Sequence, residues 1–439
     1  MIKSGKVFLV MLPLLAMFCL YGCGRQITAS NDAPVSTEPE PQPGRFAFVY
    51  DPGADAVRKQ ALLAKIDRFW QEFRANSDKM TWSKDPKADR SFIHEFLTER
   101  LHSFDHRLEW ECGGKDGISE LDFSVAQHID LLPLLSTLVE RSGEIPGWRI
   151  GAFRQRIDSN LVDTSFEART QRTMPPYKAV VTCNKQNEVT VEMRSSKFGG
   201  NDLDADVSDA CLIAEIVLGE ENFDKWVCRV TTSMDKSVDS KSFNSTQEAA
   251  KFAKAFDNIK HSIFLSLPNK PRWQIEYEDR VSLLTLPEKA LKAAKKKERF
   301  RYTFVSLEDK LAMRLIHPYQ FWSEQFSKFG EKFVYLHVIS QPGDEMDKRR
   351  PELERSLFKI LKERKLGCVL ATGRGKPESF YFDLCVTDVD KAVPVLKQFC
   401  IDKKLPPTTW LRFYDECWRN EWVKMLPDTP DLKNPREYF

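Results

Sequence analysis

The sequence predicts an α+β protein with antiparallel sheets that carry helices on one face: a C-terminal ferredoxin-like βαββαβ module preceded by two tandem ββαβ units. Three observations predict it. Apolar residues alternate in short stretches bounded by Gly, Asn and Pro clusters, they recur every three or four residues in longer stretches, and the two kinds of stretch follow one another in a repeated order.

Taken in order, the folded body opens with two helical stripes, Leu62, Ile66, Phe69 and Phe73, then Phe92, Phe96 and Leu101 after Ser91. Leu108, Trp110 and Cys112 alternate, Gly113-Gly114-Lys115-Asp116-Gly117 turns the chain, and Leu121, Phe123 and Val125 alternate again, which reads as a β-hairpin. Asp130 is placed to cap a helix running through Val139, with Pro133 in the first turn where no amide partner is lost. Ile145-Pro146-Gly147 then leads into a strand from Trp148 to Arg154.

That order recurs. Tyr177 to Cys183 and Val189 to Met193 form a hairpin around Asn184-Lys185-Gln186-Asn187. An apolar helix runs from about Ala205 to Leu218 and stops at Gly219, and Trp226 to Thr231 is a strand. The ββαβ units therefore span 107–154 and 177–232, alike in order but not in side chains. The box Ser245-Thr246-Gln247-Glu248 and the stripe Phe252, Phe256, Ile259 and Ile263 set a further helix.

Residues 267–331 read as a connecting region, with expected strands at Trp273–Tyr277 and Arg301–Leu307 and a Lys-rich helix at 287–298. Beyond it, Phe333 to Ile339 is apolar on both faces, as in a central strand. A helix from Pro351 to Arg364, strands at Gly367–Ala371 and Phe380–Val386, a helix at Val389–Ile401 and a strand at Trp410–Phe413 complete βαββαβ. Two right-handed crossovers then give one antiparallel sheet with both helices on one face.

The N-terminus carries an address. Lys3 and Lys6 precede an apolar run from Val7 to Tyr21, roughly fifteen residues against the roughly twenty a spanning helix needs. The run ends Leu20-Tyr21-Gly22-Cys23, which resembles the lipobox of bacterial lipoproteins. The resemblance implies cleavage before Cys23, acylation of that cysteine and a body held on the extracytoplasmic side by membrane lipid. Gly24 stands where an Asp would imply inner-membrane retention in a Gram-negative cell, so the outer membrane is favoured.

The expected organisation is a signal peptide at 1–22, then the lipidated Cys23 and a disordered Pro-rich linker at 23–44. An N-terminal α+β domain follows at 45–266, the connecting region at 267–331, and the ferredoxin-like domain with a Trp-containing tail at 332–439. The linker holds four prolines and few large apolar groups, so a coil of its length spans on the order of 25 Å.

Composition narrows function. Lys plus Arg number 66 and Asp plus Glu 64, a near balance that argues against a nucleic-acid binder. With 42% hydrophobic residues and 30 phenylalanines the body can build real cores. Its eight cysteines, Cys112, Cys183, Cys211, Cys228, Cys368, Cys385, Cys400 and Cys417, include no CxxC pair. Most fall in apolar stretches, where a thiol behaves as a small hydrophobe, although an exported chain could also form disulfides.

Candidate chemistry is sparse. His94, His102 and His106 lie in or near one helix, but His94-Glu95 does not continue to HExxH, and the reading is a solvated helix with no metal. Ser233-Met234-Asp235-Lys236 matches SxxK and Ser242-Phe243-Asn244 matches SxN, yet the two are too close together and no KTG follows. Gly373-Arg374-Gly375-Lys376 joins two strands and reads as a basic hairpin tip, not a phosphate loop. Lys289, Lys292, Lys295, Lys296, Lys297, Arg299 and Arg301 read as a solvated helix face that could also meet anionic lipid. Trp410, Trp418 and Trp422 are expected to pack a last helix on the sheet, the alternative being an exposed aromatic anchor.

The runs EIPGWRIGAFRQR (144–156) and FGEKFVYLHVIS (329–340) resemble segments of bacterial protein families of unassigned function, which supports the fold and implies no catalytic residue. No catalytic residue, metal or cofactor is therefore expected. The expected function is a non-enzymatic lipoprotein, regulatory or immunity-like, that binds an envelope or secreted protein; the alternative is a lipid-anchored envelope hydrolase.

Overall fold

A computed structural model describes residues 56–80, 91–115, 117–199, 203–276, 302–304, 311, 320–340, 345–375 and 379–432. The lipobox with Cys23, the linker and the basic run at 289–301 lie outside the described residues. The fold is α+β, and the chain divides into two compact units, one built on Leu63–Asn184 and Glu188–Ser262, the other on Ile263–Phe439.

The first unit begins with α1 (Ala56–Asn76) and α2 (Ser91–His102). Ile66, Phe69 and Phe73 are buried as their spacing requires. In the second stripe Phe96 and Leu101 are buried as expected, joined by Ile93 and Leu97, while Phe92 is exposed. Phe69, Trp70, Phe73, Phe96, Phe104 and Phe123 form a chain of edge and tilted ring contacts, and Trp70 Nε1 donates to Leu138 O at 2.7 Å.

Both ββαβ units form. In the first, β1 (Glu109–Lys115) and β2 (Ile118–Ser124) pair antiparallel, α3 (Leu132–Glu140) crosses, and β3 (Trp148–Ala152) pairs parallel to β2. In the second, β4 (Lys178–Cys183) and β5 (Val189–Ser195) pair antiparallel, α5 (Leu203–Leu218) and α6 (Glu220–Trp226) cross, and β6 (Val227–Met234) pairs parallel to β5. Each small sheet is thus mixed, since a crossover helix brings the third strand back in the direction of the second.

Several local expectations change. Asp130 does not cap α3; it sits in a 3-10 turn, Ile129–Leu131, and pairs with Arg107 at 3.2 Å. A further helix, α4 (Val162–Thr170), lies between the two ββαβ units, and residues up to Trp226 belong to α6. Gly219 joins α5 to α6 with φ +81°, and a Cβ there would meet the backbone N of Arg156 at 3.0 Å, so a bare residue is needed. α7 (Ser245–Ser266) starts one residue earlier than the box implied, with Asn244 Oδ1 accepting from the Gln247 amide at 2.9 Å.

In the second unit the segment after α7 makes a 3-10 turn, Arg272–Gln274, where a strand was expected. The ferredoxin-like order then runs β8 (Lys332–Ile339), α8 (Glu345–Glu363), β9 (Gly367–Gly375), β10 (Ser379–Val386), α9 (Val389–Asp402) and β11 (Thr409–Phe413). Sheet order is β11-β8-β10-β9 through the module, with β12 (Trp422–Lys424) added beside β11 and β7 (Tyr302–Phe304) beside β9. The paired neighbours are antiparallel throughout. Leu353, Leu357 and Leu361 of α8 and Val393, Leu396 and Phe399 of α9 share one core with the strands. The chain after β11 is a 3-10 turn and β12 instead of the expected last helix. At the start of β9 a Cβ on Gly367 would lie 1.9 Å from Cys385 O, so the strand can approach β10 only there without a side chain.

Candidate functional site

Three features stand out: a buried ionic joint in the first unit, a polar face inside the second, and an exposed apolar patch on the second.

The joint centres on Arg154, just past β3, whose side chain is 10% exposed. Its guanidinium pairs with Glu109 and, at 2.8 Å, with Glu111 on β1, and reaches Glu215 on α5 at 3.3 Å. Arg169 of α4 meets the same Glu215 at 3.1 Å and Glu111 at 3.2 Å. Glu220, first residue of α6, accepts from the Arg154 amide at 2.8 Å and from Ser124 Oγ of β2 at 2.7 Å. One turn on lies Asp224, whose Oδ2 is buried with no hydrogen-bond partner among the described residues.

The electrostatics follow. Burial alone would lower the Arg154 pKa, but Glu111, Glu215, Glu220 and Glu109 together hold it well above the usual value. Burial pushes the Glu220 carboxyl up, with Arg154 opposing. Burial, then Glu220 and Glu215, push Asp224 well above the carboxylate range. A buried network of this kind is weak evidence for stability, because desolvation offsets much of the attraction. None of its residues was legible as a site. Glu215, a lone carboxylate within the apolar run of α5, was the signal that could have found it.

In the second unit, register puts two polar rows on one face of the sheet: Arg412, Tyr335 and Asp383 across β11, β8 and β10, and Trp410, His337 and Tyr381 beside them. All six are buried. Tyr414 donates to Asp383, Ser379 Oγ lies 2.9 Å from Tyr381 Oη, and the His337 ring stacks on Tyr381 at 4.8 Å. The Arg412 guanidinium lies 5.4 Å from the Tyr335 ring centroid. The opposite face carries Val334, Leu336, Val338, Phe382, Leu384 and Leu411, all buried. Nearer the module's edge, Arg272 and Glu331 form a buried pair at 2.8 Å; Arg272 also donates to Phe326 O at 2.7 Å.

The residues singled out in the sequence do not converge. His94 packs edge-on to Trp110, His106 lies 3.9 Å from Asp105, and His102 is exposed. Among the described residues no group of three or more His, Cys, Asp and Glu could hold a metal ion. Ser233 Oγ donates to Glu192 at 2.9 Å while Lys236 is exposed, and Ser242 and Asn244 serve the turn before α7. Gly373 pairs with Tyr381 within the β9–β10 hairpin, and Lys376 lies outside the described residues. Trp410 and Trp422 are buried, Trp410 Nε1 donates to Pro430 O at 2.8 Å, and Trp418 packs on Phe413. Cys368, Cys385 and Cys400 are buried, whereas Cys183 is exposed. Burial raises the Cys385 and Cys400 pKa values, so neither is a ready nucleophile.

The patch gathers at the end of α7 and the turn before β8. Phe264 is 47% exposed, Leu265 61% and Phe329 43%. Lys328 connects them, its Nζ 5.4 Å from the Phe264 ring centroid, 3.4 Å from Leu265 O and 2.7 Å from Asn269 Oδ1. No helix among the described residues is long and apolar enough to cross a membrane. Comparisons of the chain with protein-family models, with curated proteins and with solved structures find no match.

Proposed function

We propose that this chain is a lipid-anchored extracytoplasmic protein, acylated at Cys23, whose second unit binds an envelope or secreted protein through the Phe264–Leu265–Phe329 patch. The exposure of Phe264 and Leu265 at the end of α7 and of Phe329, next in the chain to the Lys328 that reaches both, is the observation that carries the reading. Clustered apolar groups at a surface mark interaction sites, whereas single ones do not. Lys328 at the centre fits a partner that offers an apolar anchor beside a carboxylate. The near balance of charge fits a protein partner and not nucleic acid. Lipid at Cys23 would hold this surface near the membrane, the outer one in a Gram-negative cell.

The test is a photocrosslinker at position 329 of the full chain in its own cells, with position 401, also exposed, as control. A partner crosslinked from 329 and not from 401, whose purified form binds about tenfold more weakly to Leu265→Asp, supports the reading. Equal crosslinking from both positions, or unchanged affinity in Leu265→Asp, removes it. The second reading, a lipid-anchored hydrolase, draws on the buried polar rows of the second unit, where Tyr414 donates to Asp383 and the His337 ring stacks on Tyr381. Turnover of an ester, peptide or glycan that His337→Ala abolishes, with no partner captured, would replace the first reading by the second.

A further inference from the structure

The joint of the first unit carries more acid than its two guanidiniums can balance. Arg154 and Arg169 face Glu109, Glu111 and Glu215, which already outnumber them, and Glu220 and Asp224 add two further buried carboxyls. The placement matters as much as the number. Ser124 and the Arg154 amide, on the first ββαβ half, both donate to Glu220, which stands on α6 of the second half. The α6 backbone is drawn to the same spot, since the Glu220 amide donates to Arg154 O at 3.0 Å. Asp224 is 6% exposed and lies a turn away on the same helix, with Oδ2 enclosed and unpartnered among the described residues.

An ionised carboxylate in that position would have its Oδ2 enclosed without a donor among the described residues, and it would face Glu220 and Glu215 as like charges. Its opposing charges are Arg154, already committed to three glutamates, and Lys225, which pairs with Glu221 at 2.8 Å. A neutral carboxylic acid avoids both costs and can donate its own proton.

We propose that Asp224 is a proton-binding site that keeps the Glu220 clasp between the two ββαβ halves closed while it is neutral and loosens it when it ionises. The sign follows from linkage. Asp224 holds its proton more tightly folded than unfolded, so its contribution is full at acidic pH and is lost as pH rises through the folded value. The joint is therefore closed by acid and loosened by base, independently of whether Cys23 is acylated.

Hydrogen exchange of the full chain, corrected for intrinsic rates, tests this on the amides of Glu220–Trp226 between about pH 6 and about pH 9. Protection in the wild type is expected to fall about tenfold or more over that range, and in Asp224→Asn by less than about threefold. Equal pH dependence in the two proteins overturns the proposal. Should Asp224→Asn fail to fold, infrared spectroscopy of wild-type protein labelled at aspartate decides: a protonated buried aspartic acid at neutral pH, titrating away in base, upholds the site, and its absence refutes it.

Discussion

Replacing Arg272 by Met tests how the second unit is held together. The Arg272 and Glu331 side chains are fully buried, paired at 2.8 Å, and the Arg272 amide also donates to Glu331 at 2.6 Å. Ser327 Oγ donates to the same carboxylate at 2.9 Å. Removing one member of a buried pair costs about 3–5 kcal/mol, because the remaining charge keeps its desolvation penalty. The two donors that survive in Arg272→Met place the expected loss at the lower end, about 3 kcal/mol. At about 1.4 kcal/mol per tenfold, amides of Lys332–Ile339 that exchange by global opening should exchange about a hundredfold faster. The double variant Arg272→Met/Glu331→Leu removes both charges and should return to within about 1 kcal/mol of wild type. Exchange changed less than about threefold in the single variant, or a double variant as weak as the single, would refute the reasoning.

Four further outcomes are expected. Cys23→Ser should abolish acyl labelling; unchanged acylation would refute the anchor. Arg272, Phe321 and Phe326 pack into the second unit, so a fragment of 263–439 should fold cooperatively while one of about 330–430 should not, as amide spectra of both would show. Gly367→Ala must displace β9 from the Cys385 carbonyl and should cost about 3 kcal/mol or more in urea titration. Burial pushes the Asp122 carboxyl up to about 6, with Arg149 opposing, so its contribution is full below about pH 4 and lost above about pH 6. Asp122→Asn should accordingly melt higher than wild type near pH 8, by the equivalent of about 1–3 kcal/mol, and no higher near pH 4.

Much of the architecture was legible because it rests on local periodicity. The stripe Ile66, Phe69, Phe73 fixes a face of α1, and the alternation in Val189–Ser195 fixes a face of β5, with no need of distant partners. The βαββαβ order was enough to imply the sheet order that the registers display. What escaped were elements without a period of their own. α4 carries only Val162 and Phe166 as large apolar groups, and α6 is a seven-residue helix ending in Trp226, a residue that reads equally well as strand. The 3-10 turn at Arg272 is set by Glu331, fifty-nine positions away. The ionic joint escaped for the same reason: Ser124 and Glu220 are ninety-six positions apart, and no spacing rule connects them.

The short outer strands of the large sheet have a consequence for crowding. Among the described residues β7 and β12 are three residues each, so these outermost strands offer a neighbouring chain only a few free backbone groups to copy. The small sheets of the first unit end instead in strands of five to eight residues, β1, β3, β4 and β6. Where many copies are confined together, strand exchange and templated aggregation should therefore begin in the first unit, and charge or proline placed on those rims, not on the large sheet, is what would suppress them.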